Sequence, residues 1–232
     1  MLHNMLNSPA RSQLPAWFIL FLVLMGLFII LPFLAPFFMF IGWEWGGKAI
    51  YLVYTLFCHQ LPQRSYFLFG PEWTYSLVEI QAVWQPTTNP MILRQFIGNS
   101  EMGWKVAWSD RMISMYGSIW LFGLLWYPLR KQIRNLPLWG LILFILPMAI
   151  DGTTHLISDF WGIGLGFRDT NLWLANLTRH SLPAAFYTGD AWGSFNSIMR
   201  LSSGLLFGWG FVWFAFPFIH PSLPESQIPS SY

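Results

Sequence analysis

Four stretches of the chain, residues 17–40, 112–129, 136–150 and 198–218, are almost uninterruptedly apolar. A helix needs about 20 apolar residues to cross the hydrocarbon of a bilayer, so the pattern predicts four membrane-spanning helices. Charge is held to the edges of these runs: Asp110 and Arg111 precede the second, Asp151 and His155 follow the third, and Arg200 enters with the fourth. A fifth apolar segment, 49–57, is too short to span and runs into Cys58-His59-Gln60-Leu61-Pro62-Gln63-Arg64-Ser65. It predicts a re-entrant or interfacial helix that stops before Pro62, because a proline pushes its predecessor out of the helical region.

The first run is about twice the length of a signal-peptide core and no small-residue cleavage pattern follows it, so it is expected to be a retained helix. Pro32 and Pro36 lie inside it. They predict a kink or an early end, with the freed carbonyls met by neighbouring helices. Between the second and third runs, the link 130–135 carries Arg130, Lys131 and Arg134 and no acid. By the positive-inside rule the link belongs in the cytoplasm. Both termini then lie on that side, and the long connections 43–107 and 151–197 are exoplasmic. The expected organisation is a cytoplasmic segment 1–16, one four-helix membrane domain 17–220 with short exoplasmic helices, and a flexible Pro- and Ser-rich tail 221–232.

Composition agrees with an all-α membrane protein. Hydrophobic residues make up 55% of the chain and charged ones 9%, far fewer charges than a soluble domain of this size uses. A net charge of +2 lacks the dense basic footprint of a nucleic-acid binder. One cysteine, Cys58, excludes an internal disulfide and a multi-cysteine zinc site.

With this topology, three helices deliver polar groups to one leaflet. Asp151, Thr154 and His155 stand at i, i+3 and i+4 and share a helical face. In one account Asp110, Arg111 and Arg200 are interfacial anchors with hydrated head groups. A short carboxylate reaches water poorly from that depth, however, so Asp151 is expected to pair with an arginine of another helix, Arg111 and Arg200 first. The alternative account is a polar site. Asp151, His155 and Asp110 are then the acid-base candidates, and Cys58, His59, Arg64, Arg111, Arg168 and Arg200 the ligand-binding ones. Arginines there balance the acids or grip an anionic head group through forked hydrogen bonds. A metal reading takes His59, His155 and Asp151 as ligands. Neighbouring Cys58 and His59 point apart on a helix, so a buried thiol with His59 capping the helix end explains that pair equally well.

Cys58-His59-Gln60 with Pro62, Arg64 and Ser65, then Asp151-Gly152-Thr153-Thr154, then Arg200 with Ser203-Gly204, resembles an uncharacterised bacterial membrane-protein family, domain of unknown function 2085. The likeness covers most of residues 45–215. It implies a bacterial inner-membrane location and no known reaction. The family pattern is commonly completed by a Cys-x-x-Cys or Cys-x-Arg-Cys element before the next span. Here that stretch reads Ala107-Trp108-Ser109-Asp110-Arg111, so the resemblance carries no cysteine-ligated metal or dithiol chemistry to this chain.

Signatures of nucleotide-binding, zinc-protease and hydrolase sites are absent. Gly162, Gly164 and Gly166, followed by Arg168-Asp169, predict a flexible loop rather than a phosphate cradle. No cofactor is named by the sequence. Two function classes follow: a membrane protein holding a ligand, lipid head group or metal at a charge-paired site, with or without catalysis, and an accessory subunit contacting lipid, quinone or pigment. Membrane lipid is a partner in either, other membrane subunits in the second, and nucleic acid in neither.

Overall fold

The computed structural model describes residues 14–219. The tail 221–232 and most of the segment 1–16 lie outside the described residues. In chain order the helices are α1 (Ala16–Phe40), α2 (Glu44–Tyr54), α3 (Leu77–Val83), α4 (Pro90–Leu93), α5 (Asp110–Leu129), α6 (Leu138–Asp159), α7 (Phe167–Thr170), α8 (Leu172–Leu177), α9 (Ala184–Tyr187) and α10 (Phe195–Ile219). Among the described residues four of these, α1, α5, α6 and α10, are long and apolar enough to cross a membrane. Three strands, β1 (Ser65–Leu68), β2 (Gly98–Asn99) and β3 (Gly103–Ser109), form an antiparallel sheet in the order β1-β3-β2.

The spans alternate in direction. At one end Phe18 stacks on Tyr127 and Trp17 meets Phe216 edge-on, so the start of α1 lies beside the ends of α5 and α10. The basic link lies at this same end, where the Trp213 indole donates to the carbonyl of Arg134. The sheet and short helices cap the opposite end and have an apolar core of their own, including Phe67, Ile80, Leu93, Phe96 and Ile163.

α1 runs unbroken through Pro32 and Pro36 to Phe40, correcting the expected early end. Pro32 has no N–H to offer the Phe28 carbonyl, and the Tyr54 hydroxyl of α2 donates to that oxygen at 2.8 Å. The neighbour thus supplies the missing bond, as expected. α2 starts five residues earlier than the apolar segment 49–57 and ends at Tyr54, three residues short of it. α6 likewise continues past residue 150 for more than two turns, so Asp151 and His155 share a helical face, as expected, and His155 stands a full turn before the helix end.

The sheet was not legible in the residue pattern. β3 is buried on both sides from Lys105 to Trp108, wedged between α1 and the cap, and so lacks the apolar-polar alternation of a one-sided strand. Its end leads directly into α5, which fixes where Asp110 and Arg111 emerge. α5 and α10 approach closely because Gly204 and Gly208 face Ser114 and Ser118: a Cβ on Gly204 would lie 2.9 Å from the Ser114 hydroxyl. Small residues at this spacing let helix backbones touch in a membrane, and Ser118 donates across the seam to the Gly204 carbonyl at 3.2 Å.

Candidate functional site

The segment after α2 is shaped by its polar residues. Gln60 adopts a left-handed backbone (φ 53°) that reverses the chain. Its N–H donates to the Cys58 sulfur at 3.3 Å, and its side-chain amide donates to the Tyr51 carbonyl at 2.8 Å. The turn aims Arg64 back over the ends of the spans. The Arg64 guanidinium grips Asp159 with two parallel bonds of 2.7 Å and donates from Nε to Asp190 at 2.8 Å. Asp190 also accepts from Arg200 Nη1 at 2.6 Å, and Arg200 in turn binds Asp110 through Nε (2.8 Å) and Nη2 (2.7 Å). The result is a ladder, Asp159, Arg64, Asp190, Arg200, Asp110, in which acid and base alternate.

Burial shapes the ladder's electrostatics. Desolvation alone would lift the Asp190 carboxyl, but Arg64 and Arg200 outweigh it and hold the group below the usual carboxylate range. Desolvation opposes the charge on Arg64 as well, and Asp190 and Asp159 override it and raise its pKa. Asp110 opens α5, where an acid complements the helix dipole, and its Oδ1 also accepts the Arg111 N–H at 2.7 Å.

A second set lies beside the ladder. Asp151, 1% exposed, takes Arg111 Nη2 on one oxygen and Arg168 Nη2 on the other, both at 2.7 Å. Arg168 Nη2 also stands 3.2 Å from His155 Nε2. A guanidinium only donates, so Nε2 accepts and the ring proton sits on Nδ1, which is buried without a partner. Arg168 is held by Asn196, whose Oδ1 accepts from Nε at 3.1 Å and whose amide returns a bond to the Arg168 carbonyl at 2.7 Å. The loop of three glycines packs tightly at Gly166: the Ser158 hydroxyl occupies the place of a Cβ there and accepts the Arg168 N–H at 3.0 Å.

A cavity of about 250 Å³ opens beside both sets, lined by Cys58, His59, Arg64, Arg111, Asp159 and Arg200 among others. Arg64 and Arg200 spend every guanidinium nitrogen on acids. Arg111 does not: Nη2 binds Asp151, while Nε is buried without a hydrogen-bond partner. Gly152 keeps room for it, since a Cβ there would stand 3.2 Å from Arg111 Nη1.

The expected residues therefore separate. Asp151 does pair across helices, with Arg111 as expected and with Arg168; Arg200 pairs instead with Asp110 and Asp190, because those acids occupy its first helical turns' surroundings. Cys58, His59, Arg64, Arg111 and Arg200 share the cavity, whereas Asp110, Asp151, His155 and Arg168 do not line it. The metal set His59, His155 and Asp151 is not assembled. Among the described residues no group of three or more His, Cys, Asp or Glu side chains is placed to hold a metal ion, and guanidinium groups already occupy both Asp151 oxygens and His155 Nε2.

Asp159 and Asp190 were missed. Continuing the helical period of Asp151 and His155 by one more turn reaches Ser158 and Asp159, so that signal existed. Asp190, in a connection without periodicity, gave none. Lys105 was missed as well: it is fully buried in β3, and its ammonium donates to the carbonyls of Gln60 (2.8 Å) and Arg94 (2.7 Å). Burial pushes its pKa down to about 7.

Residues 100–214 match the family model described as predicted membrane protein (DUF2085). An uncharacterized protein of Methanocaldococcus jannaschii is 30% identical over 150 residues, covering 61% of this chain and 74% of that one. No solved structure matches the chain.

Proposed function

The chain belongs to the DUF2085 family of predicted membrane proteins, and we propose that its buried charge layer builds a binding site for an anionic group, a phosphate or carboxylate, in the cavity beside Arg111. One observation carries this reading: of the three arginines lining the cavity, Arg111 alone has guanidinium nitrogens without a hydrogen-bond partner. Planar guanidinium forks suit oxyanions, and an unpaired buried donor favours a ligand that completes it. Asp151 acts as a positioning residue that fixes Arg111 from below, with His155 and Arg168 bracing it. Asp110 and Arg200 belong to the frame. Cys58 and His59 form the rim.

The basic link supports a cytoplasmic placement for the uncapped end and an exoplasmic opening for the cavity. A reporter fused after Arg134 is expected to read cytoplasmic, and one inserted near Asn89 exoplasmic; the reverse pattern would turn the cavity to the inner leaflet.

The ligand reading is tested in mild detergent by native mass spectrometry with phosphatidylglycerol, and by equilibrium dialysis with inorganic phosphate. Retained phosphatidylglycerol that Arg111→Gln abolishes identifies a lipid head group, and phosphate uptake lost in the same variant identifies a free anion. Binding of both probes unchanged in Arg111→Gln would sink the reading.

A further inference from the structure

A second cleft, of about 740 Å³, lies on another side of the first turn of α5 and has the opposite chemistry. Its lining includes Tyr66, Trp73, Trp192 and Glu72, and among the described residues no Lys or Arg lines it. The floor includes Phe33 of α1 and Ile113 of α5, two spanning helices. We propose that this cleft holds the quaternary ammonium head group of a membrane lipid, with the acyl chains lying against α1 and α5.

The electrostatics point to a cation. An aromatic ring presents a negative face, and several such faces around one space bind alkylated ammonium groups, which are too bulky for tight hydrogen bonding and cheaply desolvated. Tyr66 and Trp192 stand 6.0 Å apart with their planes tilted by 55°, as two walls of one cage rather than a closed stack. Glu72 forms no salt bridge among the described residues, so its charge is available to a ligand. An anionic head group would meet that carboxylate and the ring faces with no compensating cation.

The walls are tied in place. The Trp73 carbonyl accepts the Phe67 N–H of β1 at 2.8 Å. The Glu72 N–H donates to the Tyr75 hydroxyl at 3.3 Å, and the Trp192 N–H donates to the Thr74 hydroxyl at 3.1 Å. Scattered tryptophans at a membrane interface need no such convergence. The apolar floor, belonging to spanning helices, selects an amphiphile over a free ion.

The test uses the whole chain in a non-ionic detergent, with native mass spectrometry after addition of phosphatidylcholine and phosphatidylglycerol in equal amounts. Phosphatidylcholine is expected to stay bound and to be displaced by tetramethylammonium chloride. Trp192→Ala and Glu72→Gln should each lower the retained fraction about fivefold, as the loss of one exposed cation contact implies, and Trp192→Phe should restore most of it. Both positions are exposed, so folding is checked by unchanged melting of the variants. Phosphatidylcholine retained equally by the parent, Trp192→Ala and Glu72→Gln would overturn the proposal. So would tetramethylammonium binding to lipid-free protein while phosphatidylcholine fails to compete, which would mark a free-ion site. The outcome is independent of the anion cavity, whose probe is the phosphatidylglycerol signal in Arg111→Gln.

Discussion

Arg200 and Arg111 border the same cavity and are made in neighbouring turns of packed helices, yet they stand in opposite states. Arg200, 2% exposed, is saturated by Asp110 and Asp190. Arg111 shares a single carboxylate with Arg168 and keeps donors unused. A guanidinium whose every nitrogen is held by an acid is a structural group, since its charge is already balanced and its geometry fixed. An unsaturated one in a cavity carries a cost that binding can remove. Charge alone therefore does not mark the site; the guanidinium nitrogens left without a partner do.

The contrast predicts unequal losses. Arg200→Ala leaves Asp110 buried without a cation, and Asp151→Ala strands two guanidinium groups at once. Each is expected to cost about 3 to 5 kcal/mol, the range for breaking a buried pair, read as a large drop in melting temperature in detergent. A double change of Arg200→Met and Asp110→Leu should recover part of the loss. If Arg200→Ala melts like the parent, the ladder is solvated and the distinction collapses.

Lys105 sharpens the comparison as a buried cation that pairs with no acid among the described residues. Its folded pKa, about 7, lies below the usual lysine value of 10.5. Between those pH values the unfolded chain binds a proton that the folded chain does not, so stability from this group rises as pH rises through that window. The penalty for the buried charge is fully present below it. Lys105→Met should flatten the slope of stability against pH between about 7 and 10.5, with melting measured across that range; an unchanged slope would mean that the ammonium is hydrated.

Arg111→Gln should be far milder for stability than Arg200→Ala, about 1 kcal/mol, because Asp151 keeps Arg168, while anion binding falls sharply. Equal destabilisation by the two changes would place Arg111 in the frame. The smallest expected effect is that of Gly152→Ala, whose methyl would press on Arg111 Nη1. It should weaken anion binding less than Arg111→Gln and leave melting unchanged.

How far the chain could be read varied with the physics of each part. The spans were legible because hydrocarbon demands a length and a composition that few other structures share. The true end of α6 was hidden, because a charged residue closes an apolar run whether or not the helix continues; here it continues, since Arg111 and Arg168 neutralise Asp151. Among the site residues, Cys58 and His59, expected in the last turn of a helix, lie in a turn beyond the end of α2 at Tyr54, whereas the pairing of Asp151 with Arg111 followed from residue type and depth. The role of Arg200 did not, because its partner Asp190 lies in a connection that local pattern leaves undetermined. Strand β3 was concealed by burial on both faces.

The ladder also bears on how the protein is made. Arg200 arrives 90 residues after Asp110, once the three earlier spans have left the ribosome. Until then the layer holds four aspartates, Asp110, Asp151, Asp159 and Asp190, against three arginines, Arg64, Arg111 and Arg168. The last helix thus supplies the fourth arginine of these ion pairs, and the Gly204 and Gly208 seam brings it against α5 in the register that Asp110 requires.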